Sequence, residues 1–282
     1  MSNQKVAVIT GSSSGIGLLT ALEFARNGYQ VVATMRDLQR GDRLEAAAQK
    51  AGVREKIDIR RLDVTEFDSL PGVVEGIVRE HGRIDVLVNN AGFSMAGFGE
   101  DLSLDELRTQ FETNFFGNVA MSKAVLPIMR AQKSGHIVQV TSVGGRLGQP
   151  MLGAYCASKF ALEGWSEALR IETHSLGIHV VLIEPGSYDT DSWHRNVVIG
   201  KQALDSASPN KARSQRFSEF VKSGVKKRDA REVAQLILQV ARNPKPKLRY
   251  MIGPDAKMQV WFERLAPWRT YERMVAKAVK ID

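Results

Sequence analysis

The run Val6-Ala7-Val8-Ile9-Thr10-Gly11-Ser12-Ser13-Ser14-Gly15-Ile16-Gly17, followed by Leu18-Leu19-Thr20-Ala21-Leu22-Glu23-Phe24-Ala25, decides the reading of the chain. A β-branched apolar segment, a turn with three glycines and a helix-forming segment follow without a gap. Glycines at such a turn let the backbone bend sharply and approach a pyrophosphate, and the helix N-terminus presents free N–H groups and partial positive charge to it. The spacing is Gly-x-x-x-Gly-x-Gly, distinct from the common Gly-x-Gly-x-x-Gly. Outside a strand–turn–helix context it would be only a tight loop. Within one it predicts a dinucleotide site.

Working outward, apolar strands are expected at Val6–Thr10, Gln30–Thr34, Ile57–Asp63, Val86–Asn89, His136–Thr141, Val180–Glu184 and Tyr250–Ile252. Between them lie helical patterns at Gly15–Asn27, Gly41–Ala51, Phe67–His81, Ser103–Lys133, Ala154–His174 and Asp229–Arg242. Strands alternating with helices predict a single-domain, Rossmann-like, doubly wound parallel sheet with helices on both faces, spanning 1–282. The polar segment 187–227 breaks the rhythm, and loops of that length are usually functional. The segment 255–282, with Trp261, Phe262, Trp268 and Tyr271 among basic residues, is read as a C-terminal extension packed on its own core or on a neighbouring subunit.

With 43% apolar and 25% charged residues, the 282-residue chain suits a globule with a sizeable core. One cysteine excludes an internal disulfide and fits a reducing, cytoplasmic compartment. The early first strand and the lack of a long apolar run argue against a signal peptide and stable membrane insertion. The net charge of +8 is uneven: residues 1–185 carry −2 and residues 186–282 carry +10. The basic residues are scattered, so a solvated basic face is favoured over a nucleic-acid or membrane surface, with attraction of an anionic cofactor or substrate as an intermediate reading. The five histidines have no metal-ligand spacing, and no metal is expected.

The second informative stretch is Ala154-Tyr155-Cys156-Ala157-Ser158-Lys159, beginning twelve residues after Ser142. Tyr155 and Lys159 stand four apart, on one face of a helix. An adjacent ammonium favours phenolate and would bring the phenol towards working pH. Alone, such a pair is usually a surface contact. Here it accompanies a dinucleotide turn.

Thr10-Gly11-x-x-x-Gly15-x-Gly17, Asp63-Val64, Asn89-Asn90-Ala91-Gly92, Asn114, Ser142, Tyr155-x-x-x-Lys159 and Pro185-Gly186 occur in that order. The chain thereby resembles the short-chain dehydrogenase/reductase family from about Lys5 to about Thr190. The resemblance implies an NADP- or NAD-dependent oxidoreductase interconverting a carbonyl compound and an alcohol. Tyr155 would transfer the proton, Ser142 bond the same oxygen, Lys159 tune Tyr155 and hold the nicotinamide ribose, and Asn114 hold a water leading to solvent. Gly11, Ser12, Ser13, Ser14, Gly15, Ile16 and Gly17 would cradle the pyrophosphate. Asp63 and Val64 would flank the adenine, and Asn90, Ala91 and Gly92 the ribose. Pro185, Gly186, Tyr188 and Thr190 would grip the nicotinamide amide, although the family more often has an aliphatic residue at the place of Tyr188. Thr10 would pin the turn through the Asn89-Asn90 backbone, and Asn89 would tie neighbouring strands.

Cofactor choice rests on Met35-Arg36-Asp37. Met35 stands where an NAD-preferring relative carries Asp, and Arg36 is placed for a 2′-phosphate. NADP(H) is therefore favoured, with NAD(H) kept open by Asp37, whose other reading is a cap. The resemblance also makes 187–227 a substrate lid and implies a homodimer or homotetramer through the helices of Asn114 and Tyr155. Phe93-Ser94-Met95 and the stretch from Gly144 to Met151 would line the substrate site. Their apolar character suggests a hydrophobic substrate, of steroid or retinoid type by analogy. The alternative is a regulatory protein that binds NADP(H) without turnover.

Overall fold

In the computed structural model, residues 4–190, 197–205, 207–224, 228–279 and 281 are described. Parts of the expected lid (191–196, 206 and 225–227) and of the C-terminal extension (280 and 282) lie outside them.

Eleven strands are described: β1 (Val6–Ile9), β2 (Gln30–Met35), β3 (Ile57–Arg61), β4 (Val86–Asn89), β5 (Ser94–Ala96), β6 (Gly135–Val140), β7 (Ile178–Pro185), β8 (Tyr188–Asp189), β9 (Val197–Ile199), β10 (Arg228–Asp229) and β11 (Arg249–Ile252). Seven form one parallel sheet in the order β11–β7–β6–β4–β1–β2–β3. In its register Val8 stands beside Val32 on one side and Leu87 on the other. The helices are α1 (Gly15–Arg26), α2 (Asp42–Lys50), α3 (Leu70–His81), α4 (Leu104–Phe111), α5 (Asn118–Gln132), α6 (Gly153–Glu172), α7 (Lys211–Gly224), α8 (Arg231–Arg242), α9 (Pro254–Leu265) and α10 (Trp268–Ala278).

The period-2 geometry of a strand sends alternate side chains to opposite faces. Ala7 and Ile9 join Phe24 and Ala25 of α1 and Val233 and Ile237 of α8 in one core. Val6 and Val8 join Leu70 and Ile77 of α3 and Met121, Val125 and Met129 of α5 in the other. Both faces are covered, which is why the strands read as continuous apolar runs. The chain winds outward from β1 to β2 and β3, then returns to place β4 on the other side of β1. This reversal opens a crevice at the C-terminal ends of β1 and β4, where ligands of such sheets bind.

The expected alternation is present, with three corrections. β3 ends at Arg61, so Asp63 lies beyond it, where its Oδ1 accepts from the Thr65 N–H at 3.0 Å and the Thr65 hydroxyl at 2.8 Å in a tight turn. The helix expected over Ser103–Lys133 is interrupted by a π-helical turn at Glu112–Gly117. Ser103 and Glu106 form a capping box at its start, and Lys133 ends it in the left-handed conformation with φ 52°. Within the segment 187–227, β8, β9 and α7 form instead of a loop. In the extension, which folds into α9 and α10, only Tyr271 of the four aromatics is buried; Trp261 and Trp268 are exposed. None of the described helices is long and apolar enough to cross a membrane.

Candidate active site

The glycine turn leaves β1 and enters α1 as its spacing predicts. Gly11 has φ +69°, in the left-handed region that favours glycine. A Cβ on Gly17 would stand 2.3 Å from the Gly11 carbonyl oxygen, so only glycine lets the helix start pack on the turn. The first turn of α1 has neither a side-chain cap nor an acidic residue, leaving its amides available to an anion. This donor set fits a pyrophosphate. Ser12 is buried and its hydroxyl donates to the Ile9 carbonyl at 2.9 Å, so its side chain holds the turn together; Ser13, Ser14 and Ile16 are half-buried.

Thr10 fastens this turn to the end of β4. Its Oγ1 accepts from the backbone N–H groups of Asn90 and Ala91, both at 3.0 Å, one residue further along than expected. Asn90 Nδ2 donates to the carbonyls of Thr10 (2.9 Å) and Gly11 (3.1 Å). Asn89 binds a helix rather than a neighbouring strand: its amide donates to the Asn118 carbonyl at 3.1 Å and to Ser122 Oγ at 2.8 Å. At the end of β2, Met35 is buried and Arg36 is exposed. Asp37 Oδ1 accepts from Gln39 N at 3.0 Å, which is the capping role open to it in the sequence. Val64 is buried, and Asp63 is half-buried beside it.

The opposite wall comes from α6 and the turn after β6. Tyr155 and Lys159 lie one helical turn apart, with the Lys159 ammonium 5.8 Å from the centre of the Tyr155 ring. Lys159 Nζ donates to the Val140 carbonyl at 2.9 Å. Ser142 Oγ accepts from the Gly144 N–H at 3.0 Å, on the turn that faces Tyr155. The Tyr155 phenol is not held near working pH. Burial pushes it up to about 12, against the opposing Ser142 hydrogen bond. Burial also pulls the Lys159 ammonium down to about 8, with Glu163 opposing.

Asn114 sits in the π-turn. Its side chain donates to the Phe93 carbonyl and accepts from the Phe93 N–H, both at 3.0 Å, and its carbonyl accepts from Asn118 Nδ2 at 2.7 Å. A Cβ on Gly92 would stand 3.0 Å from Asn114 Oδ1 and 3.8 Å from Lys159 Nζ, so Asn114 and Lys159 flank one point.

Between these walls lies a cleft of about 580 Å³, including space open to solvent. Asn90, Gly92, Ser142, Tyr155, Lys159, Pro185, Gly186, Tyr188 and Thr190 line it, all singled out from the sequence. Val140 and Thr141, at the end of β6, line it too and were missed because they read as ordinary strand residues. Phe93 and Ser94 reach the cleft, but Met95 packs into a small core with Leu102 and Ala154. The stretch after Ser142 also turns away from it: Val143 and Leu147 pack on Ala256 and Val260 of α9.

Two further residues had no motif to reveal them. Asp255 of α9 accepts from the Ser187 N–H at 2.7 Å, and a Cβ on Gly186 would stand 2.5 Å from its carboxylate. Glu232 accepts from the Tyr188 hydroxyl at 3.2 Å while Arg228 grips it through two nitrogens, at 2.8 and 2.9 Å. Cys156 is buried, with its thiol pushed up to about 11 by burial, and is a packing residue. Asp58, Glu80 and His81 converge away from this site. Arg60 already pairs both carboxylates there, so the chain supplies its own cation.

The family model for short chain dehydrogenases matches residues 5–197. The chain is 41% identical over 278 residues to the uncharacterized oxidoreductase YusZ of Bacillus subtilis, covering 98% of each. It is 35% identical over 278 residues to the 3-ketodihydrosphingosine reductase of Bacteroides thetaiotaomicron, covering 98% of this chain and 97% of that protein. The crystal structure of a short-chain dehydrogenase from Streptomyces avermitilis superposes with a TM-score of 0.82 at 30% identity, over 100% of this chain and 98% of that one. The chain belongs to the short-chain dehydrogenase family of oxidoreductases. Among similar solved structures, some hold NADP and others NAD.

Proposed function

We propose that the protein is an NADP(H)-preferring carbonyl reductase, acting reversibly as an alcohol dehydrogenase, on an apolar ketone or aldehyde. The observation that carries this reading is the convergence of Ser142, Tyr155 and Lys159 in one cleft with Asn90, Gly92 and Ile16, the last of these from the end of the glycine turn. The nicotinamide, when bound, supplies or accepts the hydride. As charge develops on the substrate oxygen, the Tyr155 phenol donates its proton to that oxygen. The Ser142 hydroxyl, whose oxygen is fixed by the Gly144 N–H, gives a second hydrogen bond. Lys159 has one of its three donors on Val140 and keeps the others for the nicotinamide ribose and the phenolate left by proton transfer. Asn114 takes the water-holding position beside Gly92. A phenol raised to about 12 is protonated at neutral pH and so holds the proton that reduction requires.

The amides of Gly11 to Gly17 are assigned to the pyrophosphate, Asp63 and Val64 to the adenine, and Asn90, Ala91 and Gly92 to the ribose. Pro185, Gly186, Tyr188 and Thr190 are assigned to the nicotinamide amide. Arg36 is exposed at the end of β2 while Asp37 is occupied as a cap, and this supports the 2′-phosphate. The lid role of 187–227 is supported by its ties to the substrate side. β9 pairs with β5, and Ser208 Oγ donates to Asp101 Oδ1 at 2.8 Å. Phe93, Val140 and Ile16 give the cleft an apolar lining, and the relative named for a ketodihydrosphingosine is a precedent for a long-chain ketone. Exposed Leu104, Phe116 and Phe160, on α4, the π-turn and α6, support a homodimer or homotetramer through that face. The single buried cysteine suits a reducing compartment.

The test is fluorescence titration with NADPH and NADH, followed by NADPH oxidation with long-chain, steroid and retinoid carbonyls. Tyr155→Phe is expected to bind cofactor normally and lose about 10²–10⁴-fold in turnover. Undiminished turnover in that variant would overturn the mechanism. Cofactor binding without turnover by the unaltered protein on any carbonyl would replace it with the binding-only reading.

A further inference from the structure

One helical turn beyond Lys159, on the same α6, Glu163 is 4% exposed. Its Oε2 accepts from Arg249 Nε at 3.1 Å. Its Oε1 has no hydrogen-bond partner among the described residues. The nearby Thr141 hydroxyl donates its proton to the Ile183 carbonyl at 2.9 Å instead. Oε1 lies against the turn that carries Ser142, 3.3 Å from where a Cβ on Gly145 would stand.

The surrounding groups come from every element packed on this carboxylate. From β11, Arg249 Nε is also 3.0 Å from Glu184 Oε1, and its terminal nitrogen pairs with Glu167 of α6. From β7 comes Glu184 itself, 1% exposed and next to Pro185. From the Ser142 turn, Arg146 reaches Glu184 Oε1 at 3.4 Å. With every group ionised, Glu163, Glu167 and Glu184 face Arg146 and Arg249, which leaves one negative charge in excess. Lys159 stands one helical turn before Glu163 on α6, on the same face of the helix.

We propose that Glu163 is a positioning residue for Lys159: its buried carboxylate, one helical turn along α6 and braced by Arg249, keeps the Lys159 ammonium charged. The proposal rests on the catalytic reading of Lys159. Burial and Glu184 push the Glu163 carboxyl up to about 7, so it becomes charged above neutrality. Lys159, drawn down to about 8, starts to lose its proton in the same range, where a negative neighbour keeps the proton on. At lower pH Glu163 is itself neutral and lends Lys159 no charge. The effect is therefore confined to the alkaline side.

Glu163→Gln keeps the shape and an acceptor for Arg249 but removes the charge. Its alkaline limb of kcat/KM for carbonyl reduction is expected to fall by about one pH unit, with the rate at pH 6 changed less than about twofold. Glu163→Asp, which keeps the charge, is expected to restore most of the limb. A loss of rate that is uniform across pH, with the limb unmoved, would overturn the proposal. A second readout needs no substrate: NMR titration of the Lys159 side chain in the intact protein. There the Lys159 signal is expected to show an added inflection where Glu163 titrates, and in Glu163→Gln the Lys159 midpoint falls. A single inflection in the unaltered protein, or an unmoved midpoint in a folded variant, would overturn the proposal even if no carbonyl substrate is found. A positive titration without any turnover would instead leave the coupling standing and sink the catalytic reading.

Discussion

At residue scale, neighbours in the sequence divide the work. Arg36 and Asp37 compete on paper for the adenosine ribose, and the fold separates them: Asp37 caps a short turn at Gln39, while Arg36 remains exposed at the strand end. Arg36→Ala is therefore expected to weaken NADPH binding by at least about tenfold and leave NADH nearly unchanged, measured by parallel titrations. Equal losses for both would remove the 2′-phosphate assignment. The positions of Tyr155, Lys159 and Ser142 were legible because a fixed helical spacing and a strand-end turn place them. The state of Tyr155 was not. Sequence spacing suggests a phenol lowered by its lysine, whereas burial, which no local pattern encodes, dominates and raises it.

At the scale of elements, the strands and helices follow from apolar periodicity, and the misreadings occur where side chains override it. The segment Ser103–Lys133 reads as one helix because each half is well patterned. The π-turn at Glu112–Gly117 is maintained by long-range bonds from Asn114 to Phe93 and from Asn118 to the Asn114 carbonyl. Such extra-residue turns recur at functional sites, and this one turns Asn114 toward Gly92. Below it, Ser122 of α5 ties two strands to the helix. Its oxygen accepts from Asn89 of β4 at 2.8 Å and from Gln139 of β6 at 3.1 Å, and its hydroxyl donates to the Asn118 carbonyl at 2.8 Å. Ser122→Ala would leave two buried amide donors without this acceptor, at a cost of about 2 kcal/mol. Chemical denaturation should register this as a lower midpoint with an unchanged slope. A variant as stable as the unaltered protein would show that the network is dispensable.

At the scale of the whole molecule, the C-terminal third is joined to the walls of the cleft. α9 seals the turn after Ser142 through Ala256 and Val260, while Asp255 holds the Ser187 N–H under the Pro185–Gly186 bend. Asp255→Ala should raise the apparent KM for NADPH several-fold and lower Tm, because a backbone donor loses its acceptor at a cost of about 1 kcal/mol. An unaltered KM would confine Asp255 to stability. The sequence could not reveal this, since Asp255 at the start of a helix reads as a simple charge favourable to the helix dipole. The link also limits how such a protein can be recombined. A segment exchanged with a relative from α9 onward carries both the apolar backing of the Ser142 turn and the acceptor of the Ser187 N–H. The two sides of the cleft are thus exchanged as one unit, and a chimera joined between Ser187 and Asp255 must keep both partners of that single hydrogen bond.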